Sequence, residues 1–511
     1  MFQYFKEKFS WLVWSVGLLS ISLISYQFLF RQGLGFDEMS IMDNLVQRNF
    51  LELLKPLGKW QVAPIMFLWV EKYLLIIADF FNQNWVDYFL RIYPVFCSLG
   101  VILLYYKLVL KLTNSKFISL IAYALLLFNP IFIYYSSEIK QYICELFYSI
   151  LLIYVWLKKS ETKWNIKNTA VFLLVVLLAI FNSSTICFIL LPMGLYDGWK
   201  LIEKHELKIK NLIKDKETFY YTIRYSISLI FLGGYYLCFL YNHPSSQVML
   251  NFWKDSFINS ENILNVLNRS IQWFYPDFNI LILGLGLLSL LVLKKKQVFI
   301  LSFFILLGHI IFSCFKLYPV DTRLVFYWLV ILPICFASLL YFVYDKCIIM
   351  DYSFLTKNEV LIIIFIISCI FCLEIRWKKL PIYLHDRYPK QSLEIIEKRY
   401  EEGDIIIFRS IQLPREYLSK YYIRTIPSDN IFDISETKWK VFLEKSMMRI
   451  DSLKESTRFW LVSNVQLNKN TLVNELEKNE EFNRLNMKIS FCKELPKQVI
   501  CLIKKVSQYQ K

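Results

Sequence analysis

The chain has 511 residues, 56% of them hydrophobic and 18% aromatic, with a mean hydropathy of +0.41. This excludes an ordinary soluble globular protein, because serial apolar runs near the roughly 20 residues that span a bilayer identify a polytopic membrane protein. The formal charge of +16 does not indicate a nucleic-acid partner, since the lysines sit between apolar runs rather than on one face of a soluble domain.

In chain order, residues 10–30 come first, 21 residues without a charge. The run is too long for a secretory signal and has no small-residue cleavage site, so it reads as a retained helix. Lysines then set the topology. Clusters at 107–116, 158–167, 200–216 and 294–296 belong on the cytoplasmic side by the positive-inside rule. Crossings near 89–110, 117–134, 141–157, 168–182, 184–199, 225–241, 278–293, 297–315, 325–344 and 358–374 satisfy that assignment and make eleven with the first helix. Residues 63–81 are apolar enough to span. Counting them would invert the later clusters, and they carry Glu71 and Lys72 mid-run, so they are expected to form an interfacial or re-entrant helix.

Composition changes near residue 375. The expected architecture is a polytopic α-helical membrane domain over 1–375, with a first external loop at about 31–88, followed by a small soluble α/β domain over 376–511. Strand-like runs such as DIIIF (404–408) and FWLV (459–462) alternate there with charged helical stretches. Of the eleven cysteines most lie inside apolar runs and act as small hydrophobes. Cys492 and Cys501 lie in the tail, where a disulfide and two free thiols are both open.

With this topology the polar variety collects on the external side. The first loop carries Asp37, Glu38, Asp43, Lys59 and Gln61, and FNPIFIYYSSEIKQYICE (128–145) carries Glu138, Lys140 and Tyr142. YNHPSS (241–246) and KLYPVDTR (316–323) follow. Each feature has a plainer reading. Asp37 and Glu38 alone look more like first-turn acids of a juxtamembrane helix, and Arg323 alone suits a snorkelling helix-end cation. His243 reads as a loop residue.

The order of the motifs changes the balance. An acidic pair after the first helix, then Gln61 and Pro64 in a Q-x-x-P segment, then N-P-x-x-x-Y-Y-S-x-E-x-x-x-Y over 129–142 resembles the GT-C class of integral-membrane glycosyltransferases. Within it the chain is most similar to the bacterial group that includes the aminoarabinose transferase of lipid A and the protein O-mannosyltransferases. The resemblance is clearest over residues 30–200. It implies that Asp37 is the general base toward an acceptor, and that Glu38 orients Asp37 or sugar hydroxyls. It implies that Glu138, with Gln61 and Tyr142, binds the sugar or a metal. Lys140 and Arg323 then hold the lipid phosphate. Lys140 stands where the class usually has arginine, and QVAPIM replaces an HPPL-like segment.

The implied activity is an inverting hexosyl or pentosyl transfer from a polyprenyl-phosphate sugar to a glycolipid, cell-envelope glycan or protein. It would occur at the outer face of a bacterial plasma membrane, with the N-terminus cytoplasmic and the C-terminal domain extracytoplasmic. Expected partners are the donor, membrane lipid and that acceptor, with no nucleic acid. No cofactor is certain, and Mg²⁺ or Mn²⁺ is the cation such acids would take. A transporter or flippase of lipid-linked saccharides is the competing reading, disfavoured because the acids cluster at helix ends on one side rather than at mid-bundle. A lipid-linked glycan polymerase is the third, but the longest external loop, 242–277, holds a single arginine, Arg269.

Overall fold

A computed structural model describes residues 2–30, 36–81, 85–162, 164–205, 215–241, 244 and 246–347. In the tail it describes 390–408, 420, 431–433, 445–446, 458–463, 469–484, 487–495 and 498–505. The expected crossing at 358–374 and His243 lie outside the described residues.

The membrane half is helical: α1 (Phe2–Phe30), α2 (Phe36–Gln47), α3 (Ile65–Phe81), α4 (Val86–Thr113), α5 (Lys116–Leu127), α6 (Pro130–Tyr135), α7 (Tyr142–Ser160), α8 (Ile166–Asn182) and α9 (Cys187–Lys204). These are followed by α10 (Lys216–Tyr235), α11 (Ser246–Phe252), α12 (Ile263–Phe274), α13 (Ile280–Val292) and α14 (Lys296–Cys314). A 3₁₀ stretch (Thr322–Val330) then leads into α15 (Leu332–Cys347). Among the described residues four helical segments are long and apolar enough to cross a membrane: Ser10–Phe30, Val86–Thr113, Lys216–Leu240 and Lys296–Cys314. Their apolar side chains are extensively exposed, as at Leu229, Ile230 and Phe96. Such surface suits lipid tails rather than water. The protein is a multi-pass membrane protein.

Two of the expected crossings are not straight. Residues 117–134 break at Asn129, where α5 stops and α6 begins. The Asn129 side chain accepts from the Ile131 and Phe132 N–H groups, and Pro130 occupies the first helical position, where its missing N–H costs nothing. Residues 325–344 become the 3₁₀ stretch and α15, bent by 54°. α3 is 17 residues long, and its Glu71 is fully buried in protein.

Close approach between helices rests on small residues. A Cβ on Gly100 of α4 would lie 2.3 Å from the Phe147 ring of α7, and one on Gly286 of α13 would lie 2.7 Å from the Cys335 carbonyl oxygen of α15.

The tail contains α16 (Lys390–Arg399), β1 (Ile405–Phe408), β2 (Ile431–Asp433), β3 (Arg458–Ser463), α17 (Lys469–Glu477), α18 (Glu480–Arg484), β4 (Met487–Leu495) and β5 (Gln498–Lys505). The sheet order is β2-β1-β3-β5-β4, with β1 parallel to β2 and β3 and the last two strands antiparallel. A disulfide joins Cys492 to Cys501 across the β4–β5 hairpin. Asp404 is buried beside β1 and accepts from Trp460 Nε1 at 3.0 Å and Arg458 Nη2 at 3.1 Å, so the sheet encloses a polar cluster. Lys420 of the tail pairs with Asp79 of α3 at 2.7 Å.

Candidate active site

The acid pair opens α2, where the positive end of the helix favours negative charge. Met39, Ile41, Met42 and Leu45 bury the other face of the helix and fix its rotation. The loop after α2 is held by side chains closing on backbone. Asn44 Oδ1 accepts the Gly58 N–H at 2.7 Å, Arg48 donates to the Pro56 carbonyl at 2.8 Å, and Lys59 pairs with Asp43 at 2.8 Å. Lys59 and Trp60 adopt positive φ angles of 57° and 53°, and this turn delivers Gln61 to the site.

The second motif is the tight segment between α6 and α7. The Lys140 N–H donates to the Glu138 carbonyl at 2.7 Å, which turns Lys140 toward the first loop. Its Nζ donates to Gln61 Oε1 at 2.8 Å. Glu38 is fully buried, and its Oε1 accepts the Ile139 N–H at 2.8 Å. The sequence expectation gave Glu38 the task of orienting Asp37 or sugar hydroxyls; what its Oε1 holds is the backbone of the second motif, 101 residues on.

Arg323 reaches the same point from the start of the 3₁₀ stretch. Its Nη1 donates to Asp37 Oδ2 at 2.6 Å, across a separation of 286 residues. Asp37 and Arg323 keep 40% and 31% of their side-chain surface accessible. Burial pushes the Asp37 carboxyl up, but the Lys140 and Arg323 cations outweigh it and hold the group below its ordinary value of 3.8. Burial pulls the Lys140 ammonium down, and Asp37 opposes that shift most strongly. Glu138 and Tyr142 are buried beside them, the Tyr142 ring edge-on to Tyr135 at 5.2 Å.

The structure thus brings together Asp37, Gln61, Lys140, Tyr142 and Arg323, with Glu38 and Glu138 in the wall. Sequence reading missed three contributors. Trp253 lies under the Arg323 guanidinium at 5.6 Å. Asp321 accepts from Ser256 Oγ at 2.7 Å and from Arg269 at 3.1 Å, fixing the segment that presents Arg323. The D-T-R run at 321–323 was the available signal, an acid two residues from the chosen arginine. Tyr135, in the quoted motif, went unused.

The sequence leaves Mg²⁺ or Mn²⁺ open, and among the described residues no group of three His, Cys, Asp or Glu side chains converges as a preformed ligand set for it. While Asp37 pairs with Arg323 and Lys140 lies close by, its carboxylate is surrounded by positive charge.

No protein-family model matches the chain, and no curated protein matches it in sequence. Its fold is matched over nearly its whole length. ArnT of Cupriavidus metallidurans, an aminoarabinose transferase solved with undecaprenyl phosphate bound, gives a TM-score of 0.51 at 9% identity, covering 99% of this chain and 98% of that one. An oligosaccharyltransferase of Archaeoglobus fulgidus, tethered by a disulfide to an acceptor peptide with the NVT sequon, gives 0.50 at 10% identity, covering 94% of this chain and 72% of that one. The chain has the GT-C fold of these integral-membrane glycosyltransferases, the class that its two acidic motifs resemble.

Proposed function

We propose that the protein is a membrane glycosyltransferase that moves a sugar from a polyprenyl-phosphate carrier to an acceptor hydroxyl or amine of the cell envelope, on the outer face of the membrane. The observation that carries this reading is the Arg323–Asp37 pair at 2.6 Å with buried Lys140 beside it: a phosphate-binding cation and a carboxylate base at one point of a GT-C fold. The half-lipid donor explains the location, because its tail stays in the bilayer while its phosphate sits at headgroup depth. The boundary near residue 375, the external position of the tail and the external loop at 31–88 belong to this proposal.

The donor phosphate competes with Asp37 for the Arg323 guanidinium, whose planar fork suits phosphate oxygens. Lys140 adds a point charge. Once Arg323 turns to the phosphate, Asp37 is a free carboxylate and accepts the proton of the acceptor nucleophile. The nucleophile bonds to the anomeric carbon from the face opposite the phosphate. The carbon–oxygen bond to the phosphate breaks, and its electron pair leaves on polyprenyl phosphate, where Arg323 and Lys140 stabilise the charge. One displacement inverts the anomeric centre. Glu38 positions the Lys140 segment through Ile139.

The test is release of polyprenyl phosphate from a panel of polyprenyl-phosphate sugars, with cell-envelope lipid as acceptor, by purified wild type and Asp37→Asn. Turnover by wild type alone, with both proteins folded and both binding donor, supports transferase and base together. Equal turnover by the two removes Asp37 from the chemistry. If neither reacts with any donor, the transporter reading takes precedence.

A further inference from the structure

We propose that the polar face of α12 and the start of the 3₁₀ stretch form a saccharide-binding pocket beside the reacting centre, recognising uncharged sugar hydroxyls. The inference rests on the transferase reading for its role and on the cavity for its existence. The cavity holds about 500 Å³ and is lined by Asn265, Asn268, Arg269, Gln272, Trp273 and Thr322. That is room for one or two sugar rings.

The lining chemistry selects the ligand class. Asn265, Asn268 and Gln272 give the lining carboxamide character: Asn265 presents an amide donor and acceptor, the combination that vicinal hydroxyls match, while Asn268 Oδ1 accepts the Ile280 N–H at 2.8 Å and holds that side chain in place. Trp273 adds an amphipathic indole suited to the apolar face of a sugar ring. Arg269 does not make the pocket an anion site, because its guanidinium is paired with Asp321 at 3.1 Å and donates to Ser256 Oγ at 3.0 Å. The one charge in the lining is therefore compensated from outside it.

Position links the pocket to the chemistry. Thr322 adjoins Arg323 in the chain. The Trp273 ring lies 5.9 Å from Tyr135, which in turn packs against Tyr142, so one aromatic wall runs from pocket to ion pair. α12 is anchored independently of any ligand. Asn129 Nδ2 donates to the Phe274 carbonyl at 3.0 Å, and Tyr275 donates to the Leu125 carbonyl at 3.2 Å, so the α5–α6 break holds the end of α12. The amphipathic helix thus turns its amides toward the site while Val266, Leu267, Ile271 and Phe274 are buried.

The experiment uses full-length protein in detergent, as wild type and as the double variant Asn265→Ala/Gln272→Ala, whose side chains are exposed on α12. Bare undecaprenyl phosphate is titrated first, and a panel of neutral mono- to trisaccharides is then scanned by saturation-transfer NMR. Wild type is expected to bind the carrier and at least one saccharide. The double variant should keep its carrier affinity and lose about tenfold or more in saccharide affinity, the effect of removing two hydrogen-bonding groups. In turnover, a rise in the acceptor KM alone assigns the pocket to the acceptor sugar, and a rise in the donor KM alone assigns it to the donor sugar. Carrier binding with no saccharide retained overturns the pocket and leaves the transferase reading standing, as does equal saccharide binding by the variant. Saccharide binding without carrier binding does the reverse, and binding of neither overturns both.

Discussion

Asp37–Arg323 and Asp197–Arg224 are the same two side-chain chemistries at nearly the same separation, 2.6 and 3.0 Å, in two regions of one helical bundle. The second pair is closed. Trp156 Nε1 donates to both Asp197 oxygens at 3.1 Å, the Tyr225 hydroxyl donates at 2.9 Å, and the Arg224 guanidinium lies 3.4 Å above the Trp164 ring. Arg224 keeps 3% of its side-chain surface accessible and Asp197 11%, so neither can change partner without leaving a buried charge. The first pair is open, with 31% and 40% accessible. An ion pair that staples helices is enclosed by protein; one that exchanges partners with a substrate keeps surface free to receive it.

The largest effect expected from this contrast is on turnover. Asp37→Asn should lower kcat by about 100- to 10,000-fold, the range for loss of a general base. Donor affinity should not weaken, because Arg323 no longer has a carboxylate competing for it. Rate and equilibrium donor binding measured on the same preparation check both halves. Next comes stability. Arg224→Ala should destabilise the protein by about 3–5 kcal/mol, since it strands Asp197 in the bundle. Thermal unfolding in detergent should show it, with turnover per folded molecule retained. A variant that stays stable and loses turnover would place the second pair in the chemistry and abolish the contrast.

A smaller change separates charge from geometry. Arg323→Lys should cost about tenfold in kcat/KM for the donor, as for one lost charge-assisted hydrogen bond, where Arg323→Ala costs more. The smallest effect is in pH dependence. Asp37 is held below 3.8 while Arg323 pairs with it, so kcat/KM, which reports free enzyme, should fall with acid only below that value. In the donor complex the phosphate has taken Arg323 and the Asp37 carboxyl rises, so the acid limb of kcat should lie at higher pH. Lys140 is pulled below its ordinary 10.5, which should bring the alkaline limb down from that value. Coincident acid limbs for kcat and kcat/KM would mean that Arg323 never leaves Asp37.

Much of the site was legible because its parts have local causes. Asp37 and Glu38 mark a helix start, and the order of the two motifs carries the likeness to the GT-C class, whereas the break at Asn129 falls inside a run apolar enough to read as one crossing. Their division of labour was not legible. Glu38 and Asp37 are neighbours in sequence, but consecutive positions on a helix point about 100° apart. One therefore enters the core to hold Ile139 while the other meets Arg323 at the surface. Trp253 and Asp321 were invisible for a different reason, since their importance comes from contact with Arg323 and Arg269 rather than from any spacing.

What the sequence by itself determined is what depends on composition and short range: a multi-pass membrane protein and a charged α/β tail with strands at the runs 404–408 and 459–462. Hydrophobic run length acts over a few residues, so a linear reading captures it. Only the tertiary structure decided that residues 37, 61, 140 and 323 share one point, that the α12 amides face a cavity next to it, and that Cys492 and Cys501 are joined. Those outcomes depend on the rotation of packed helices and on strand register, which are set by the whole bundle and sheet and by no single segment.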